Sequence, residues 1–238
     1  MIFYSDRFYY NGMYSQDCNV CLVSEESEVL NEYGISYNES EDDNEITLSF
    51  CYVDHVDQPM VWESEVLENV LEWLITDDYK EFISEDDDTI VYFLRGVKYV
   101  KRFTHDRRGL IDVTFKILSP HGYRKSIQTI PSGSGSFNIV NPSNVSKAYK
   151  PIMEIKNISD KEITITNTTT NKSSFVINDV AGKDVFIDNM IGTVVDSDGN
   201  NLILNTNRKW IELEKGNNLI KIVGDCEITF KSLFPIMV

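Results

Sequence analysis

The chain has 238 residues, with 22 basic against 38 acidic side chains and a formal net charge of −16. That length suggests one or two domains and suffices to bury a core without disulfides or metals. Hydrophobic residues at 42% and aromatics at 11% argue against disorder. The negative charge argues against nucleic acid or an anionic membrane as an electrostatic partner.

No apolar run approaches the length of a membrane span. The opening MIFYSDRFYYNG lacks the basic start and the cleavage site of a signal peptide, so cytoplasmic synthesis is expected. Cys18, Cys21, Cys51 and Cys226 fit that compartment as buried thiols rather than as a disulfide framework.

Charge is unevenly placed. Residues 1–94 hold Arg7 and Lys80 against twenty-four acids, and residues 95–125 hold nine cations against Asp106 and Asp112 alone. From residue 126 onward the chain is nearly neutral. Two readings follow: solvated faces matched within one chain, or a basic stripe on one copy facing acids on the next.

The first 25 residues are β-type around Asn11-Gly12, a pair that tolerates positive φ and predicts a tight hairpin. Residues 31–45, including the acidic stretch 39–45, read as an exposed loop. ITLSFCYVDHV predicts a strand with Ile46, Leu48, Phe50 and Tyr52 on one side, ended by Gln58-Pro59. Val66, Leu67, Val70, Leu71 and Leu74 then form one apolar helical stripe. Glu63 and Glu65 sit in its first turn, where the helix dipole favours negative charge, and Thr76-Asp77-Asp78 stops it. Three strands follow, Thr89–Leu94, Val97–Phe103 and Leu110–Leu118, separated by Gly96 and by Asp106-Arg107-Arg108-Gly109. The helix is expected to pack on the sheet these strands make with 46–56.

Residues 131–146 (PSGSGSFNIVNPSNVS) are rich in Ser, Gly, Pro and Asn and read as a linker. It separates an N-terminal domain, 1–130, from a C-terminal one, 147–238. The C-terminal part is a series of short β-type runs, among them NLILN and WIELE, separated by turn formers. That pattern means a β-sandwich. No internal repeat is present.

Candidate chemistry is sparse. Cys18-x-x-Cys21 with Cys51 and His55 could make a tetrahedral zinc site, but both segments read as strands, which would point Cys18 and Cys21 to opposite faces. His55, His105 and His121 are scattered without a nucleophile elbow or H-E-x-x-H motif. Glu85-Asp86-Asp87-Asp88 is consecutive where a calcium loop needs alternation, and reads as a solvated turn. No glycine-rich phosphate loop is present. No enzyme, cofactor or metal is therefore expected. Asn205, Trp210 and Glu212 are sugar-binding candidates, since a Trp beside polar groups on a sandwich can hold a sugar ring; against this, Trp210 could pack into the core.

Several motifs together resemble the distal tail (Dit) proteins of long-tailed bacteriophages. They are FYYNGMYSQD at the start, VLENVLEWLI followed by TIVYFLRGV and IDVTFKILSPHGY, and the spacing of KPIMEIKN, ITITN, VFIDN and VVDSDGNN. The most family-like run is Leu213-x-x-Gly216-x-Asn218-x-Ile220. The acidic stretch 39–45 has no counterpart. The resemblance implies a mainly β protein: a tail-tube-like β-sandwich or barrel-like domain with one helix, then a galectin-like β-sandwich. It implies a six-fold ring at the distal end of the tail tube, joining the tube to the tail-tip hub or lysin protein and to receptor-binding or baseplate proteins, with DNA passing through the lumen. The expected location is the virion. Within that frame, Arg95, Lys98, Lys101, Arg102, Arg107 and Arg108 are the expected subunit-contact residues. The alternative function is a carbohydrate-binding module acting through the C-terminal sandwich.

Overall fold

A computed structural model describes residues 4–24, 45–133, 135–145, 148–156, 158–170 and 174–237. The acidic loop expected over 31–45, apart from Glu45, lies outside the described residues. The chain divides into two compact units, Met1–Gly122 and Tyr123–Met237. The described residues are mainly β with one α-helix.

The first unit contains β1 (Tyr4–Asp6), β2 (Phe8–Tyr10), β3 (Met13–Tyr14), β4 (Val20–Ser24), β5 (Glu45–Tyr52), α1 (Ser64–Leu74), β6 (Lys80–Ser84), β7 (Ile90–Phe103) and β8 (Gly109–Ile117). All pairings are antiparallel, in the order β1-β4-β5-β8-β7-β6-β2-β3. The sheet curls, because Phe8 of β2 meets Phe50 of β5 at 5.3 Å and Tyr10 meets Phe115 of β8 edge-on at 5.5 Å. Asn11 and Gly12 both have positive φ, so the β2–β3 turn is the expected tight hairpin.

Helix α1 closes the curl. Leu67, Val70, Trp73 and Leu74 are buried, with Val66 and Leu71 packed beside them. Trp73 extends the predicted stripe, stacking on Phe8 and donating its indole N–H to the Tyr10 carbonyl at 2.8 Å. Buried indoles need such an acceptor. Trp62, fully buried before the helix, likewise donates to the Gly109 carbonyl at 3.0 Å.

The strands read as Thr89–Leu94 and Val97–Phe103 are one strand, β7. Gly96 does not interrupt it; the register shifts by a bulge between Gly96 and Lys98. A Cβ at Gly96 would collide with the carbonyl oxygen of Leu74, so the glycine admits the end of α1. Strand β6 has no counterpart among the predicted elements, and Cys18 lies in a 3-10 turn, Ser15–Cys18, rather than a strand.

The second unit contains β9 (Gly122–Ile130), β10 (Gly135–Asn141), β11 (Ile152–Lys156), β12 (Glu162–Asn167), β13 (Phe175–Asn178), β14 (Val185–Asp188), β15 (Thr193–Asp196), β16 (Gly216–Val223) and β17 (Glu227–Ile236). They form a sandwich of two sheets, β9-β17-β11-β14-β15 and β10-β16-β12-β13. Alternate residues point inward along β16 and β17, as a half-buried strand requires. Their Ile220, Ile222, Ile228, Phe230 and Phe234 meet Met153, Ile165, Phe175 and Ile187 in one core.

The segment read as a linker, 131–146, carries strand β10 paired along β16. NLILN is a 3-10 turn at Ile203–Asn205 and WIELE has no strand, contrary to their β-type composition. Four buried asparagines hold WIELE instead. Asn189 Oδ1 accepts the Ile211 N–H, Asn167 Nδ2 donates to the Glu212 carbonyl, and Asn141 Nδ2 donates to the Leu213 carbonyl. Asn218 Oδ1 accepts the Glu214 N–H, and its Nδ2 returns to the Glu214 carbonyl. Side-chain amides, together with one backbone bridge between Leu213 and Tyr149, thus do what a neighbouring strand would do.

Candidate assembly surface

The β7–β8 hairpin carries the candidate surface. Its β8 arm is largely buried, whereas Lys98 through Arg102 of β7 are exposed. Tyr99 is 43% and Val100 61% exposed. Within the first unit, β6 pairs residues 92–94 of β7 and β8 pairs residues 94–103. No described strand of that unit pairs the outer edge of 98–103. An exposed stretch bearing lysine and arginine favours an acidic partner.

Three of the six predicted contact cations spend their charge at home. Arg102 forks onto Asp112, Nε to Oδ2 at 2.6 Å and Nη2 to Oδ1 at 2.8 Å, and also donates to Ser49 Oγ. Lys98 reaches Glu45 at 3.3 Å. Arg95 lies over the Tyr79 ring at 5.5 Å and donates to the Asp77 carbonyl. The other three keep their charge toward solvent. Lys101 lies over the Tyr99 ring at 5.6 Å and has no carboxylate partner among the described residues. The side chain of Arg107, left-handed at the hairpin tip, donates to Ser64 Oγ and meets no carboxylate among the described residues. Arg108 makes a loose exposed pair with Asp106 at 3.6 Å, the kind that is weak in water.

The same unit exposes its acids on other elements. Glu65, Glu68 and Glu72 occupy the outer face of α1, and residues 85–88 form an exposed turn after β6. Asp6, beside that turn, is pushed above the ordinary carboxyl value by burial and by Asp86 and Glu85. An open cleft at the foot of the hairpin is lined by Tyr52, Asp54, Met60, Glu63, Val66 and Arg108. Asp54 is occupied there by the N–H groups of Val56 and Gln58, which hold its carboxyl below the usual range.

The zinc candidates do not converge. Cys21 and Cys51 are opposed across β4 and β5, while Cys18 packs against the main core and His55 lies in an exposed turn. Among the described residues no three potential ligands cluster. The sugar candidates are occupied in other ways. Phe175 meets the Trp210 indole at 6.0 Å, and Gly192 abuts it so closely that an added Cβ would lie 3.1 Å from the ring. Asn205 donates to the Asn178 carbonyl, and Glu212 pairs with Lys150 at 3.7 Å. Sequence reasoning missed Tyr99 and Val100 as surface residues. Their signal was an alternation broken within KYVKRF.

Residues 121–232 match the family model of a phage tail C-terminal domain. The SPbeta prophage-derived uncharacterized protein YomH of Bacillus subtilis strain 168 is 27% identical over 196 residues, spanning 79% of this chain and 73% of that protein. The Dit protein of phage SPP1 superposes with a TM-score of 0.60 at 14% identity, over 98% of this chain and all of that one. The second unit thus matches a phage tail C-terminal domain, and the chain has a Dit-like fold. The tail family rests on the second unit, and the Dit likeness, at that identity, is one of architecture. A chain of the phage p2 baseplate is similar at a TM-score of 0.46 and 10% identity, over 97% of this chain and 86% of that one.

Proposed function

We propose that this chain is a non-enzymatic virion protein that forms a ring at the distal end of the tail tube. The ring joins the tube protein to the tail-tip hub and to receptor-binding or baseplate proteins, and genomic DNA passes through its lumen. The first unit builds the ring and the second attaches the other tail-tip proteins. The SPP1 Dit protein is a paradigm of the hub adsorption apparatus in phages that infect Gram-positive hosts, and the likeness of fold supports this reading.

The observation that carries it is the exposure of both signs of charge on the first unit. Lys101, Arg107 and Arg108 stand exposed on one hairpin while Glu65, Glu68 and Glu72 stand exposed on the helix. Head-to-tail contact between copies brings opposite charges together, and a rotation that closes gives a ring. Net negative charge keeps the lumen from adhering to DNA phosphates.

The test is sedimentation and negative-stain imaging of the purified chain at low and high salt, with K101E/R107E/R108E and E65K/E68K/E72K variants. Rings that weaken with salt, disappear in each triple variant and return when the two variants are mixed support the reading. Rings untouched by both triple reversals overturn the assigned surface. Tails imaged with this chain anywhere but the distal end of the tube overturn the role.

A further inference from the structure

Cys21 and Cys51 face each other across β4 and β5. Their rung of the ladder can be identified. Val53 N–H donates to the Asn19 carbonyl at 2.8 Å, and Asn19 and Val53 lie two residues further along the same register. Hydrogen-bonded rungs alternate, so Cys21–Cys51 is one as well. Cα atoms at such a rung lie about 5.5 Å apart, inside the range of about 4.4–6.8 Å that disulfides occupy.

Both side chains point to the face away from the main core. They are buried with Val23, Val53 and Leu110 in a small separate cluster. The remaining cysteines are elsewhere: Cys18 packs against the main core, and Cys226 belongs to the second unit. Cys51 Sγ donates to the Tyr52 carbonyl at 3.6 Å. The facing Cys21 thiol lowers Cys51 from the ordinary thiol value, while Cys51 and burial raise Cys21. Cys51 is thus the thiol that more readily becomes the nucleophile.

We propose that Cys21 and Cys51 form a reversible cross-strand disulfide when the chain meets a small-molecule disulfide oxidant, closing a covalent loop around residues 22–50. The Cys51 thiolate attacks one sulfur of the oxidant, expelling one small thiol and leaving a mixed disulfide. Cys21 gives its proton to solvent and attacks the Cys51 sulfur, expelling the second small thiol. Two protein thiols are oxidised and one small disulfide is reduced to two thiols. Cβ atoms at a hydrogen-bonded rung stand toward the far end of about 4.5–5.5 Å, whereas a relaxed disulfide holds them at about 3.5–4.5 Å. The strands must yield slightly, so the bond is more easily reduced than an unstrained structural one. The cross-link would be absent in a reducing cytoplasm and form on an exposed particle. Only this last point rests on the tail reading; the thiol chemistry stands or falls without it.

The experiment incubates the reduced full chain with oxidised glutathione, quenches with acid, alkylates under denaturing conditions and reads intact and peptide masses. The expected product has lost two hydrogens, leaves Cys18 and Cys226 alkylated, and yields a Cys21–Cys51 linked peptide that dithiothreitol releases. Its Tm exceeds that of the reduced chain by a few degrees, because cross-linking restricts the unfolded ensemble. C18S/C226S must still form the bond, and C51S must not. Four alkylated cysteines after incubation, including in mild urea that opens strand edges, overturn the proposal. So does a glutathione adduct that persists on Cys51, or a link involving Cys18.

Discussion

Replacing Asn218 with alanine should unfold the second unit at markedly lower temperature. Asn218 is fully buried and makes four hydrogen bonds: Oδ1 accepts from Asn167 Nδ2 and Glu214 N–H, both at 2.8 Å, and Nδ2 donates to the carbonyls of Glu214 and Gly216 at 2.7 and 3.0 Å. Each bond contributes about 1 kcal/mol net, and a buried partner left without one costs about 1–3 kcal/mol. Glu214 and Gly216 are only half-buried, so water can recover part of the loss. Asn167 keeps its bond to the Glu212 carbonyl. The expected cost is therefore about 3 kcal/mol, or a fall in Tm of order 10 °C if a unit of this size unfolds as its own transition. Calorimetry and urea titration measure it. The neighbouring Asn217→Ala serves as control, because Asn217 is exposed with one long bond from Asn138; it should cost no more than about 0.5 kcal/mol. If N218A cost as little as N217A, the claim that side-chain amides replace a strand at 211–214 would fail.

Other outcomes follow from both units. Gly96→Ala should destabilise it by about 2–4 kcal/mol, because the added methyl meets the Leu74 backbone, which cannot turn aside; a urea midpoint equal to wild type would contradict the close approach. Arg102→Ala should lower folding stability by about 1 kcal/mol, since it abandons the half-buried Asp112, while Lys101→Ala should leave stability unchanged and weaken self-association by sedimentation. Asp6 should titrate above an ordinary Asp near 3.8 and Asp196 below it, read by carboxyl NMR shifts. The raised Asp6 carboxyl means stability falls as pH climbs from the unfolded value through the folded one, so Asp6→Asn should stabilise at neutral pH and lose that advantage in acid. The depressed Asp196, held by Asn200, contributes stability above the unfolded value that is lost as pH falls through its folded one.

The elements legible in the sequence were those set by local rules. Asn11-Gly12 fixes its hairpin because both residues accept positive φ, and α1 shows its period because one face is buried. The errors arose where tertiary contact outweighs composition. Ser and Gly around Gly135–Asn141 suggest a linker, yet Ile139 and Asn141 alternate inward and β16 supplies the ladder. Leu202, Ile203 and Leu204 look like a strand, but the Asn205 and Thr206 N–H groups bond back to the Leu202 and Ile203 carbonyls and close a 3-10 turn. The charge reversal at residue 95 was plain in the sequence. Which cations remain free was not, because Arg102 is claimed by Ser49 and Lys98 by Glu45, each 53 residues away.

That division explains why the most family-like run says least about partners. Leu213, Asn218 and Ile220 are fully buried, and Gly216 sits at φ +87, where other residues are strained. Each is required by the fold, so any chain with this sandwich must keep something similar whatever it binds. Lys101, Arg107 and Arg108 carry no such obligation. Substituting them costs the fold almost nothing, and they can change freely with the surface they meet. The match to the family model therefore resides in the second unit, whereas the proposed ring puts the specificity of assembly in exposed charges on the first unit's hairpin. Swapping residues 98–108 with the matching hairpin of a relative should transfer assembly preference while leaving the urea midpoint of the second unit unchanged. A chimera that keeps its original assembly partner would place specificity outside the hairpin.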